Sequence, residues 1–166
     1  MNLLRVVSTG ALSVAALAWG TTAQAVTWAF NYSGPGVTAS GTFTTAGAAL
    51  APENILSITG QRNGFAITGL VPLGTDPDFS YDNQFTIAAP NFTDGGMVFS
   101  VAGGRPNVNV YFFEGSYVDL FIDDSIPIET PINWRVAVVP EPATVLSMLA
   151  GLGLLGAYTR KARAGQ

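Results

Sequence analysis

The chain has 166 residues, 11 of them acidic and 7 basic, with no cysteine and no histidine. That composition excludes disulfides, thiolate nucleophiles, zinc–thiolate sites and every Ser-His-Asp or Cys-His mechanism. Between the two end segments, three arginines stand against ten carboxylates, a net charge of −7 over residues 26–139. Such a body repels phosphate backbones, which argues against a nucleic-acid partner.

Residues 1–25 read as a signal peptide. Arg5 supplies a short positive start, "VVSTGALSVAALAWG" is apolar, and Ala23 and Ala25 place small residues where a signal peptidase requires them. Cleavage is expected after Ala25, with export of the remainder of the chain. A first transmembrane helix is the alternative, but the apolar stretch is short and interrupted by Ser and Thr. The 114 residues between the two end segments must hold together by core packing alone, since an exported domain of this size often uses disulfides and this one has none.

The body, residues 26–138, has no sustained 3.6-residue apolar period. "VTWAFNYS" alternates Val26, Trp28, Phe30 and Tyr32 with smaller or polar residues, the pattern of a half-buried strand. A Gly34-Pro35-Gly36 break precedes "VTASGTFTT", which is again strand-like. "AGAALAPENIL" suits one helical turn interrupted at Pro52. In "ILSITGQRNGFAITGL" two β-branched runs flank Asn63-Gly64, a dipeptide that readily takes positive φ, so a tight hairpin is expected.

From Pro72 to Pro90, "PLGTDPDFSYDNQFTIAAP" is the longest irregular stretch. It reads as a connecting loop, and loops on all-β scaffolds are also where function sits. "MVFSV", "AGGRP" and "NVNVYFF" predict a second hairpin, with Val108, Val110 and Phe112 on one face and Asn107 and Asn109 on the other. "SYVDLFI" and "NWRVAVV" supply two more strands. About eight short strands joined by turns predict an all-β domain, an antiparallel sandwich or a barrel-like sheet. Alternation alone does not separate these two closures.

Three chemistries are open to the body. Asp76, Asp78 and Asp82, or Asp119, Asp123 and Asp124, have calcium-like spacing, but an EF-hand counted from Asp76 puts Tyr81 at its sixth position and Ile87 at its twelfth. Exposed turn residues are the better reading. Paired carboxylates for glycoside hydrolysis are available, yet a small body with thin loops leaves little room for a deep cleft. Trp28, Tyr32, Phe79, Tyr81, Tyr111, Tyr117 and Trp134 offer aromatic faces for sugars, and most of them suit core or edge packing. Phe79 and Tyr81 lie in a polar loop and are the candidate glycan contacts. No enzymatic activity, cofactor or metal is expected.

The chain ends on "VPEPATVLSMLAGLGLLGAYTRKAR". Ala143 to Tyr158 is a run of 16 uncharged residues, about 24 Å as a helix, a little short of a hydrocarbon core of roughly 30 Å. Arg160, Lys161 and Arg163 come after it, which keeps the tail cytoplasmic and the body outside. Pro140 and Pro142 hold the backbone before the membrane extended, with Glu141 between them. The expected organisation is therefore a signal helix at 1–25, an extracytoplasmic β domain at 26–138 and a transmembrane sorting segment at 139–166.

This ordered combination resembles the PEP-CTERM sorting signal of exported proteins in Gram-negative bacteria, typically makers of exopolysaccharide. The resemblance covers about the last 27 residues. It implies Pro140, Glu141 and Pro142 as the recognition triplet, Ala143 to Tyr158 as the span, and Arg160, Lys161 and Arg163 as the cap. It implies recognition by exosortase, a membrane-embedded cysteine transpeptidase that cuts at or near the triplet. A precursor tethered in the inner membrane would then reach the cell surface or matrix, associated with exopolysaccharide or biofilm. The body, through "SGTFTT", "SITGQRNGFAITGL" and the "YDNQF…GGMVFSV" stretch, more loosely resembles PEP-CTERM proteins of unassigned activity, which adds nothing about chemistry.

Overall fold

A computed structural model describes residues 25–140. The expected signal helix, the transmembrane span and the basic cap lie outside these residues. Nine strands make up the fold: β1 (Val26–Gly34), β2 (Val37–Thr45), β3 (Glu53–Arg62), β4 (Phe65–Leu70), β5 (Gln84–Phe85), β6 (Met97–Val101), β7 (Val108–Phe113), β8 (Ser116–Asp123) and β9 (Ile126–Val138).

Leaving β5 aside, each strand pairs antiparallel with its neighbours in sequence. The first and last strands then pair with each other, from Trp28↔Val138 to Ser33↔Asn133. The sheet is therefore a closed, eight-stranded, up-and-down barrel, one of the two closures that the alternation left open. Closure removes the edges through which an exposed sheet would recruit other chains.

Register places the apolar set of every strand inside. Trp28, Phe30 and Tyr32 of β1 face in with Phe43 of β2, Ile58 of β3, Ile67 of β4, Met97 and Phe99 of β6, and Val108 and Val110 of β7. All are buried. The Asn63-Gly64 turn adopts positive φ at both residues, as its sequence predicts. The expected helical turn at "AGAALAP" does not form; residues 46–52 are bends and irregular chain, with Ala49 at φ 52°. The segment before "NWRVAVV" is strand as well, because β9 begins at Ile126. Pro127 and Pro131 are tolerated there since β8 is the only neighbour in that stretch, so the missing amides can face outward.

The two ends of the barrel differ. Four hairpins, β1–β2, β3–β4, β6–β7 and β8–β9, gather at one end, termed the mouth. The longer connections and both ends of the described chain lie at the other, the floor. The Pro72–Pro90 stretch contributes to the floor through β5, which pairs with the start of β3. Phe85 sits 5.0 Å from the Trp28 ring and 4.8 Å from the Phe43 ring, and Phe92 lies 4.9 Å from Trp134. These two phenylalanines plug the barrel from below. The same connection runs along the outside of β6 and β7, where Val98 is fully buried and the Asn83 side chain accepts from its amide at 3.0 Å.

Closing eight strands needs tight curvature at one seam. Gly41 of β2 and Gly60 of β3 are register partners and face inward. A Cβ on Gly41 would stand 2.0 Å from the Thr59 carbonyl oxygen and 2.7 Å from the Gly60 Cα. A side chain there forces the two backbones apart. Gly41→Val is expected to cost about 3 kcal/mol, read as a lower urea midpoint, whereas Thr42→Val on the outer face stays within about 0.5 kcal/mol. Equal midpoints for the two variants would show that the seam tolerates a side chain after all.

Candidate functional site

Above the aromatic layers, the inward register brings three polar groups together. Tyr32 comes from β1, Arg62 from the end of β3, and Asp119 from the middle of β8. Arg62 Nε donates to Asp119 Oδ2 at 2.9 Å, and Nη2 donates to Oδ1 at 2.6 Å. The Tyr32 hydroxyl donates to the same Oδ2 at 2.6 Å. Asp119 is wholly buried, and 10% of the Arg62 side chain is exposed. This is the ion pair found among the described residues.

The fork of a guanidinium matches a carboxylate's two oxygens, and the hydroxyl occupies a remaining lone pair. Burial pushes the Tyr32 hydroxyl well above its usual value, and the Asp119 charge adds to that. For Arg62, burial acts to lower the guanidinium, but the bonds and charge of Asp119 outweigh it and the net direction is up. The cluster is thus a forked guanidinium–carboxylate pair with a phenol hydroxyl donating to its Oδ2. On the outer wall, the Tyr111 hydroxyl is pushed up to about 12 by burial and by Glu129, its acceptor at 3.2 Å.

The mouth lies directly above this cluster. A hollow of about 270 Å³ is lined by Arg62, Arg105, Phe121, Ile128 and the turn residues around Gly36. The Asn63 side chain braces its rim, accepting from the Thr38 amide at 2.8 Å and donating to the Gly36 carbonyl at 3.2 Å. A second hollow of about 270 Å³ adjoins it across Arg105 and Pro106, lined by Asp76, Asp78, Phe79, Asn107 and Ile122. There Asn107 Nδ2 donates to Asp76 Oδ2 at 2.7 Å.

Phe79 therefore lines a polar hollow beside the mouth. Tyr81 does not join it; its hydroxyl donates to the Pro72 carbonyl within its own loop. Of the other aromatic candidates, Trp28 and Tyr32 are buried in the core, and Tyr117 and Trp134 pack against each other near the floor. A hollow of about 430 Å³ opens beside Tyr117, Trp134 and Arg135, but the Trp134 indole nitrogen is buried and has no hydrogen-bond partner among the described residues. Among those residues no three His, Cys, Asp or Glu side chains are grouped to hold a metal ion.

Ala25 and Pro140 are exposed at the two limits of the described chain. Ala23, Glu141, Pro142, Arg160, Lys161 and Arg163 lie outside it. The Val139 amide donates to the Thr27 carbonyl at 2.8 Å, so the sheet continues up to the residue before Pro140.

Sequence reading missed Arg62, Arg105 and Phe121 as a group. One signal was present in "SYVDLFI": Tyr117, Asp119 and Phe121 share the inward face, and an acid between two aromatics on a buried face requires a cationic partner. Which arginine supplies it depends on pairing across the barrel, which no local pattern reveals.

The described body is thus an eight-stranded up-and-down β-barrel with an open, arginine-lined mouth. The remainder of the chain is characterised by comparison: residues 138–163 match the family model of the PEP-CTERM protein-sorting motif. That motif is a recognition signal for exosortase and marks an exported protein sorted to the cell envelope or surface. No curated protein and no solved structure matches the chain.

Removing one partner of the buried pair strands the other. Asp119→Asn is expected to destabilise the barrel by about 3–5 kcal/mol in chemical denaturation. The combined Tyr32→Phe, Arg62→Met and Asp119→Leu replacement, which leaves no orphaned polar group, is expected to return to within about 1 kcal/mol of the native protein. A triple variant as weak as the single one would show that the pair itself, not the stranded charge, carries the stability.

Proposed function

We propose that the chain is a non-enzymatic, exported surface or matrix protein whose C-terminal signal is processed by exosortase, in association with exopolysaccharide or biofilm. The observation that carries this reading is the sorting-motif match over residues 138–163, which includes Pro140, Glu141, Pro142 and the three basic residues. Its position supports the reading too, because the triplet starts where the sheet ends and is exposed at Pro140. In this scheme signal peptidase removes residues 1–25, the apolar run tethers the precursor in the inner membrane, and cutting near Glu141 frees the barrel.

The non-catalytic reading of the body rests on its composition. Without histidine, cysteine or lysine in the body, side-chain acid–base and nucleophilic work falls to carboxylates and hydroxyls. The most deeply buried carboxylate, Asp119, has both oxygens engaged by Arg62 and Tyr32.

A carbohydrate-binding module is the second reading, favoured by the hollow in which Phe79 stands beside Asp76, Asp78 and Asn107. An aromatic face flanked by polar side chains suits a sugar ring, whose C–H face stacks while its hydroxyls exchange hydrogen bonds.

Deleting exosortase, or introducing Glu141→Ala, is expected to leave a full-mass precursor in the membrane fraction, measured by intact mass and fractionation. Release at normal mass in both strains would refute the sorting reading. For the module reading, pull-down on polysaccharide from the producing cells is expected to retain the native chain and to lose most of it on Phe79→Ala. Retention that survives this change places the sugar contact elsewhere.

A further inference from the structure

On a body of net charge −7, two of its three arginines line one hollow at the barrel mouth, and no carboxylate lines it with them. At its base is Arg62. Asp119 occupies Nε and Nη2 of that guanidinium, and Nη1 takes no part in the pair. The charge of Arg62 is balanced by Asp119, so what it offers the hollow is a fixed, directed donor rather than net charge.

Net charge comes from Arg105. This residue is exposed on the β6–β7 loop and lies over the Phe65 ring, 3.5 Å from its centroid. It forms no ion pair among the described residues. Stacking limits its rotamers without consuming its hydrogen bonds, which leaves a preorganised cation. The walls mix apolar and polar groups: Phe121, whose ring is 5.0 Å from the Arg62 guanidinium carbon, Ile128 and Val37, with Asn63 and Thr130.

We infer that the barrel mouth is a binding site for a compact carboxylate. Its carboxyl group lies between Arg62 Nη1 and Arg105, and its ring rests on Phe121 and Ile128. A volume of about 270 Å³ falls just below the usual range for drug-sized ligands, which sets the size at about one ring. Much of the remaining surface is acidic and repels an anion; here a charge-assisted bond forms beside the Phe121 ring and Ile128. The mouth is also the end opposite Ala25 and Pro140, the two limits of the described residues. Two kinds of molecule share this chemistry, a sugar acid and an aromatic acid. The inference is independent of the sugar reading of the Phe79 hollow.

The test is an NMR titration of the purified full chain with glucuronate and with benzoate, each beside an uncharged counterpart, glucose and benzyl alcohol. At least one acid is expected to bind at millimolar concentration, about tenfold more tightly than its counterpart, and more weakly as salt is added. Arg105→Gln is expected to lower that affinity about tenfold while the amide spectrum keeps the native dispersion, because the residue is exposed. Glucuronate alone would identify a sugar acid, and benzoate alone an aromatic one. Binding of the uncharged counterparts as tight as that of the acids would overturn the inference. So would unchanged affinity in Arg105→Gln, or no binding by either acid.

Discussion

An eight-stranded barrel has an interior about one layer of side chains across, so each residue that one strand points inward must fit against those of seven others. This geometric limit organises the molecule. It explains why two glycines face each other where β2 meets β3, since a Cβ on either would run into the facing backbone. It explains the aromatic tier, in which Phe30 and Trp134 stack with centroids 5.4 Å apart and Trp28 ties its indole nitrogen to Thr45 at 2.9 Å. A connection of more than twenty residues is kept in place because Phe85 and Phe92 complete that tier from below.

The same limit explains why charge is found inside. Near the mouth the inward positions of β1, β3 and β8 carry Tyr32, Arg62 and Asp119. Arg62 is long enough to cross the interior, and Asp119 on the far wall receives it. Such a pair adds little net stability relative to an apolar filling, because desolvation offsets the attraction. It does impose order: the fork accepts one rotamer of each partner, which fixes how the β3–β4 turn stands over β8. The rim inherits that order, and the hollow has this braced pair as its base beneath the turn residues that line it.

Much of the barrel was legible in local pattern. Period-2 alternation marked β1, β7 and the end of β9, Thr-rich composition marked β2, and Asn63-Gly64 marked the β3–β4 hairpin. Closure was not legible, because Trp28↔Val138 joins residues more than a hundred positions apart and alternation looks the same in a sandwich. The early start of β9 was hidden by Pro127 and Pro131, which read as strand breakers until the one-sided pairing is known. The sorting signal was fully legible, since its meaning lies in linear order. The mouth was not, since Arg62, Arg105 and Phe121 come from three separate segments and only the closed sheet brings them round one opening. Phe79 and Tyr81 were alike as sequence, and backbone hydrogen bonding separates them.

The bond from the Val139 amide to Thr27 has a mechanical meaning. There is no slack cord between the folded module and its Pro-Glu-Pro triplet, because Glu141 is two residues beyond the last rung, at most about 7 Å of extended chain. An enzyme that engages the triplet would meet the barrel's underside, with the bends of residues 46–52 and the plug loop there. The sheet thus reaches to within two residues of Glu141 at the underside, while the arginine-lined mouth opens at the opposite rim.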